Sequence, residues 1–584
     1  MADAAIIIVA APSGVEVGTK QMWELAAQHS LPRVLFISKM DRENADFRRV
    51  LDELTTNFGR HCVPINIPVG AEANFSGIIR VLDDNNDCPD SLKKDFDTAR
   101  ERLIEAVAET SDELSTKYLE GEELSQTELL KGLKIGLMNG SIVPILTGAP
   151  PNDIGVEELM NAIIDYMPSP IDVGPKIALD ATSGEEISLE PNQAAPLSAL
   201  VFKTSADPFV GKLSYFRVYS GSFSSDSQLW NANSNESERI GQVFIVNGKS
   251  QENISKLTSG DIGAVAKLSS VLTGHTICAK ENPLTLPSLD FPDAVYQMAV
   301  SPKTKSDVDK MTSSLSRISE EDPSIKISRN ADTLQVLMGG LGDTHIDVTI
   351  EKMKRKFGVE LLIKAPKVPY KETISAFTKV EYKHKKQSGG HGQYGHVWLE
   401  LEPLDRGSGF EFQEKVVGGS VPREYIPSVA KGVQKAMDDG ALAGFPIVDL
   451  RATLVDGSYH SVDSSGICYE IAGRQALTKG IQQASPVLLE PIMKVDITVP
   501  NSFTGDIIGD MNSKRGRIQG MIPEREGITT VEVEVPQSEM LRYATELRSM
   551  TQGQGNFTVE YDHYEEVPQH MMQKVVDDAN EATD

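Results

Sequence analysis

Apolar and polar positions change period several times along this chain, and each change marks a new kind of element. "AAIIIVA" (residues 4 to 10) is a continuous apolar run, which predicts a strand buried on both faces. Helical spacing follows to about His29, then a second apolar run from Arg33 to Ile37. "ENADFRRVLDELTTNF" has helical period, "CVPINIPV" predicts one strand, and "GSIVPILTGA" another. "GVEELMNAIIDYM" is a closing amphipathic helix, and an acidic helical stretch fills residues 91 to 138. Strands alternating with helices predict a doubly wound parallel sheet.

The period then changes. "PSPIDVGP" (168 to 175) is a linker by its proline and glycine content. From Pro196 to about Ala279, short strands alternate with turn clusters such as "SADP", "NSNES" and "NGKS", which predicts a small β-barrel. Two later stretches repeat one order of elements. The first runs through "AVYQMAV", a helix at 305 to 320, "SIKIS", "TLQVLM", a helix at 343 to 357 and "VELLI". The second runs through "MKVDITV", a helix at 503 to 514, "RIQGMI", "TTVEVEV", a helix at 538 to 550 and "FTVEYDHY". Both read βαββαβ, the split ferredoxin-like unit. Between them lies a separate α/β block, residues 367 to 490, with unusual polar loops.

A chain of 584 residues is too long for one core, so several domains are expected. No apolar stretch is long enough to span a membrane, and Asp3 stands where a signal peptide would be basic. The cysteines Cys62, Cys88, Cys278 and Cys468 are too scattered for a metal or redox motif and read as reduced thiols. A formal net charge of -27 argues against indiscriminate nucleic-acid binding. The charge is segregated, however: Lys352 to Lys386 holds eleven Lys or Arg against three acids. An acidic body with one basic region suits a protein that meets RNA at one place.

Three places carry candidate chemistry. Ser38-Lys39-Met40-Asp41 closes the second strand, and Lys-x-Asp just past a strand, though common, is how many GTP-binding domains read guanine. There the carboxylate accepts from the base edge while the lysine stem lies across the ring. No phosphate-binding loop precedes it in these residues. "GHGQYG" (390 to 395) fits a dinucleotide fingerprint, but it lies between two alternating runs and is a glycine-rich hairpin tip instead. Lys383 to Lys386 would attract phosphate there, and Gln393 and Tyr394 would meet bases. His384, His391 and His396 lack the acidic or cysteine partners of a metal site. "DGSYHSVDSSG" (456 to 466) is a second polar loop. Its Ser458, His460 and Asp463 lack the nucleophile elbow of a hydrolase.

Taken in order, these modules resemble bacterial elongation factor G, the ribosomal translocase, or a paralogue of it. The resemblance runs from Asp3 to about Pro568. It is carried by "SGVEVGT", "KMDRENADF", "ADPFVGKLSYFRVYSG", "QSGGHGQYGHV", "DGSYHSVDSS", "PVLLEPIMKV", "IGDMNSKRGRIQGM" and "YATELRSMTQGQG". It implies a multidomain α/β and α+β fold: a partial doubly wound sheet, a β-barrel, and two ferredoxin-like domains flanking a tip domain. The expected divisions are a truncated GTP-binding-type domain at 1–170 with an acidic helical insert, a barrel at 171–285 and a ferredoxin-like domain at 290–365. The tip domain follows at 366–490, a second ferredoxin-like domain at 491–575 and an acidic tail at 576–584.

The resemblance further implies a cytoplasmic, monomeric factor with no membrane contact. It would promote GTP-dependent translocation, and its partners would be ribosomal RNA, transfer RNA and messenger at the decoding site. The family uses GTP with magnesium; without the phosphate loop, switches and magnesium ligands, this chain is expected to be inactive as a GTPase by itself. Alternatives are a non-GTPase ribosome-binding paralogue and a ribosome-protection protein of the tetracycline-resistance type. Ser38, Lys39, Asp41 and Ala149 carry over to the guanine site. Ser38 replaces the family's Asn. Gap-free matching puts Pro150, which has no N–H, where the family reads the guanine oxygen, and a one-residue shift makes Ala149 the reader. Lys385, Lys386, Ser388, Gly389, Gly390, His391, Gly392, Gln393, Tyr394, Ser458, His460 and Asp463 carry over to RNA contact. His391 stands where the family often has Arg, and "MGGLGDTHIDV" departs from the usual Gly-Met-Gly-Glu-Leu-His.

Overall fold

The apolar run at Arg33–Ser38 is buried from Val34 to Ser38 because it lies inside a sheet, paired on both sides. The computed structural model describes residues 1–83, 88–207, 211–386, 392–525 and 527–581. It divides into two units, Met1–Asp290 and Phe291–Asp584. The first opens with β1 (Ala5–Ala10), α1 (Val17–Gln28), β2 (Arg33–Ser38), α2 (Phe47–Phe58), β3 (Cys62–Pro64), β4 (Asn66–Val69) and β5 (Gly77–Arg80). It continues with α3 (Lys93–Ala108), α4 (Asp112–Leu119), α5 (Gln126–Asn139), β6 (Val143–Thr147) and α6 (Val156–Asp165). The sheet is parallel, in the order β1-β2-β6-β3.

Two expectations change here. The run at 4 to 10 is not buried on both faces: Ile7 and Val9 enter the core, but Ile8 is 64% exposed. Among the described residues β1 pairs only with β2, so it is an edge strand. "CVPINIPV" is two strands, not one. β3 pairs with β6, while β4 pairs antiparallel with β5 in a separate hairpin. The pivot is Ile65, whose N–H goes to Ile145 and whose carbonyl takes the Val81 N–H. The acidic stretch is helical as expected, in the three helices α3, α4 and α5. Leu103, Val107, Leu129, Leu133 and Leu137 seat α3 and α5 against the sheet, each worth about 1.5–3 kcal/mol when fully buried.

Residues 198–278 form a barrel-like antiparallel sheet of eight strands, built around the long pair Ser198–Asp207 and Gly211–Ser220. Phe216 and Phe223 stack at its centre with ring centroids 3.9 Å apart.

In the second unit, the strands Tyr296–Pro302, Lys326–Arg329, Val336–Gly340 and Leu361–Lys364 make an antiparallel ferredoxin-like sheet in the spatial order 2-3-1-4. The repeat at Pro486–Pro500, Arg517–Arg525, Ile528–Pro536 and Asn556–Glu566 has the same pairing. Its predicted helix at 538 to 550 breaks into Gln537–Met540 and Tyr543–Met550. The expected acidic tail begins inside a helix, Gln569–Glu581. Pro486–Pro500 is one continuous strand across the expected boundary at 490.

The tip block has a sheet ordered Thr378–Lys386, Gln393–Pro403, Leu450–Ser458, Phe410–Glu414. The helices Ile426–Asp439 and Gly466–Gln483 pack with it around Val429, Val433, Tyr469 and Leu477. Glycine sets their spacing: a Cβ on Gly432 would lie 2.0 Å from the Glu470 carbonyl oxygen.

One buried carboxylate ties this block together. Glu372 is fully buried on the strand Lys371–Ile374. It accepts the backbone N–H groups of Ala441 (2.7 Å), Leu442 (2.9 Å), Ala443 (2.8 Å) and Phe445 (3.1 Å). Those amides follow the Ile426–Asp439 helix, and the carboxylate stands in for the acceptors that another helical turn would supply. Glu372→Gln turns two acceptor oxygens into one and adds a donor facing donors. A loss of about 2–4 kcal/mol is expected, with faster amide exchange over residues 441–448. Unchanged exchange in that segment would show that the carboxylate does not hold it.

Candidate functional site

The tip is built by strand pairing. Thr378–Lys386 pairs antiparallel with Gln393–Pro403, matching Lys386 to Gln393, Lys385 to Tyr394 and Lys383 to His396. Alternation sends His384 inward, 7% exposed, and leaves Lys383 and Lys385 on the other face. The basic run seen in the sequence does not form one patch. Lys352 and Lys356 pair with Glu321, Lys354 with Glu360, and Lys379 with Glu400. Lys385 and Lys386 are exposed and have no acidic partner among the described residues. Ser388, Gly389, Gly390 and His391 lie outside the described residues.

The two polar loops meet through Asp463. Its Oδ1 accepts the Gly392 N–H at 3.0 Å, and its carbonyl accepts the Tyr394 N–H at 2.9 Å. A Cβ on Gly392 would sit 2.9 Å from that carboxylate, so only glycine fits there without displacement. Asp463 Oδ2 lies 3.2 Å from His460 Nδ1. The same Nδ1 lies 3.2 Å from the Asp463 amide nitrogen, so this edge of the ring is turned towards Asp463. The His460 side chain is 52% exposed.

Beneath this surface lies a second network that sequence reading did not assemble. Ser458 Oγ is hydrogen-bonded to Tyr394 Oη at 2.7 Å and to His396 Nδ1 at 2.8 Å, and His396 Nε2 lies 3.5 Å from Glu381 Oε2. Tyr469 donates its hydroxyl to the Ser458 carbonyl at 3.0 Å, and its ring stacks on Tyr425 at 4.8 Å. His384 Nε2 holds Gln393 Oε1 at 2.9 Å. Ser458 and Asp463 therefore act as internal braces rather than outward contacts, and Tyr394 offers its ring, not its hydroxyl. Lys383 Nζ lies 5.3 Å from that ring's centroid. Burial alone would raise the Tyr394 phenol, but Ser458 and the Lys383 and Lys385 charges hold it below its ordinary value. The available signals were the strict alternation of 393–403 and the helical spacing that buries Tyr469; neither reveals which hydroxyl meets which imidazole.

The guanine-type turn stands at the C-terminal edge of the parallel sheet, where such folds bind ligands. Lys39 is exposed and left-handed (φ 60°), which lets the chain turn off β2. Met40 is buried, and its N–H meets the Gly148 carbonyl, so the two loops touch. Ser38 Oγ donates to the Val9 carbonyl at 3.3 Å, bracing β1 where an Asn amide would brace loops. Asp41 Oδ1 is buried without a hydrogen-bond partner among the described residues, and Oδ2 lies 3.9 Å from Arg42 Nε. A buried carboxylate oxygen lacking a donor is what the N–H groups of a base would satisfy. Ala149 is not available as expected: it is fully buried, and its N–H is donated to the Ile154 carbonyl at 2.9 Å. These residues suit a guanine base. The chain contains no G-x-x-x-x-G-K-[ST] stretch to hold phosphates and magnesium, so no hydrolytic step is assigned to it.

Comparison with known proteins covers each domain in turn. Residues 1–169 match the elongation factor Tu GTP-binding domain model, and 196–280 match elongation factor G domain 2. Residues 291–365 match elongation factor G domain III, 366–485 domain IV, and 487–575 the elongation factor G C-terminus. A solved structure of a Thermus thermophilus protein is 33% identical, with a TM-score of 0.75, over 99% of this chain and 86% of that one. Five domain matches in one unbroken order, and a relative matched along nearly the whole length, place the chain in the elongation factor G-like family of translational GTPases.

Proposed function

We propose that this protein acts on the ribosome as a monomeric cytoplasmic factor that promotes GTP-dependent movement of transfer RNA and messenger RNA. The hairpin at 378–403 and the loop at 456–466 would enter the decoding site as one tip. The observation that carries this reading is the bridge at Asp463, which fuses two polar loops distant in sequence into a single surface. That surface offers the His460 imidazole and the Tyr394 ring beside Lys385 and Lys386. Charge of this kind attracts backbone phosphate, while aromatic rings meet exposed bases. The net charge of -27 repels RNA elsewhere, which favours engagement at this tip alone. No helix among the described residues is long and apolar enough to cross a membrane.

The family of the first domain uses GTP and magnesium. In our reading residues 38–41 supply recognition of the base only. Phosphoryl transfer to water depends on positioned phosphate and magnesium ligands. The 584-residue chain by itself is therefore expected to release no phosphate from GTP with ribosomes beyond a no-factor control. Stimulated release would overturn the assignment.

Replacing both Lys385 and Lys386 by Ala should weaken ribosome co-sedimentation. It should also flatten the dependence of log affinity on log salt by roughly one to two units, at about 0.7–0.9 per phosphate contact. Equal slopes for wild type and variant would remove the tip as the anchor. Asp463→Ala should behave differently. It leaves the lysines in place but releases the Gly392 N–H, so affinity should fall by about tenfold at an unchanged salt slope. Amide exchange should rise at 392–394 in the same variant, and a changed slope with unchanged exchange would mean that Asp463 does not brace the loops.

A further inference from the structure

The loop beside the guanine-type turn has an unusual property when its backbone donors are counted one by one. Gly148 donates to the Ile37 carbonyl at 2.9 Å, and Ala149 to Ile154 at 2.9 Å. Pro150 and Pro151 have no N–H. Asn152 donates to Ala149 at 2.9 Å, Asp153 to Pro150 at 3.0 Å, and Ile154 back to Ala149 at 3.3 Å. From residue 148 to residue 154 no backbone N–H is left for a ligand. The loop satisfies itself as a short 3-10 turn, Pro150–Asn152, closed by the Ala149–Ile154 bridge.

The neighbouring turn has the opposite character. Asp41 presents a buried, unpartnered acceptor oxygen. The contact of the Met40 N–H with the Gly148 carbonyl puts the two loops side by side. One wall of the site thus accepts hydrogen bonds, and the adjoining backbone donates none. Guanine has two donors on one edge, N1–H and the 2-amino group, and an acceptor, the 6-carbonyl oxygen, next to them. With the Lys39 stem across the ring face, a base edge that meets only Asp41 and this backbone can be read at the first two and not at the third.

Resting on the guanine reading above, we propose that this protein recognises only the donor edge of guanine and is indifferent to the group at position 6, with Pro150 as the residue that removes that discrimination. A protein that hydrogen-bonds a ligand's polar group rejects analogues lacking it, whereas one that leaves the group in water does not. The ligand class is purines bearing both N1–H and a 2-amino group, whatever acceptor stands at carbon 6.

The test is ligand-observed NMR titration of the full chain with guanosine, 6-thioguanosine and inosine 5′-monophosphates, at mildly acidic pH so that N1 of the thio compound stays protonated. The expected result is guanosine and 6-thioguanosine within about threefold of each other, and inosine, which lacks the 2-amino group, weaker by about tenfold or more. Asp41→Ala should abolish binding while keeping the wild-type melting temperature, since the buried oxygen it removes has no partner in the fold. Pro150→Ala creates an N–H at the first position of the turn, where it has no partner within the turn. That variant should prefer guanosine over 6-thioguanosine. A wild-type preference for guanosine over the thio compound of about tenfold or more, with inosine also weak, would overturn the proposal and leave the guanine reading standing. Equal binding of guanosine and inosine, or no saturable binding, would overturn the guanine reading and this proposal with it.

Discussion

A backbone N–H taken out of water must find an acceptor, and in this protein that requirement decides the shape of every functional loop. Where a carboxylate supplies the acceptor, the loop is pinned to a distant part of the chain. Glu372 gathers four amides that lie about seventy residues further along the sequence, and so joins the entrance of the tip block to the end of its first helix. Asp463 does the same at the other end, joining a hairpin to a loop that comes after it. Both acids are committed to backbone donors. Their role is to fix where other groups stand.

The same requirement works in reverse beside the guanine-type turn. There the backbone finds its acceptors within the loop, helped by two consecutive prolines that need none. The result is a closed turn whose backbone has nothing to offer a ligand except its shape. The tip and the turn are thus two answers to one problem. At the tip, backbone needs are met from inside so that side chains can face outward. At the turn they are met so completely that an Asp41 oxygen is left as the unpaired group.

Much of the architecture was legible because period and burial agree along long elements. The helix at 343–357 was readable to the residue, since Asp343 opens it and Gly358, left-handed at φ 65°, ends it. The failures share a physical origin. Strand continuity through Ile65 and through residue 490 depends on which neighbouring strand takes each hydrogen bond, and apolar pattern carries no record of that. Ile8 is apolar like its neighbours, yet its exposure follows from β1 being at an edge. At the site, the residue types were visible, but not their orientation. Ser458 and Asp463 read as surface polar groups, and only the pairing of His396 with Ser458 and of Gly392 with Asp463 turns them inward. The inability of Ala149 to donate was equally hidden, because it depends on Ile154 folding back.

The strand Pro486–Pro500 has a mechanical consequence. Its first residues, 486–489, zip to the strand Lys371–Ile374 at the root of the tip block, while its later ones form the centre of the terminal sheet. Fifteen residues of extended chain span roughly 50 Å, flanked by neighbours over most of that length. A hinge needs a place where backbone angles can change without breaking a ladder, and this strand offers none between the two modules. Torque applied at the tip would pass into the terminal sheet as into the handle of a rigid tool. Bending, if it comes, has to be found at a junction other than the one that the sequence would have chosen.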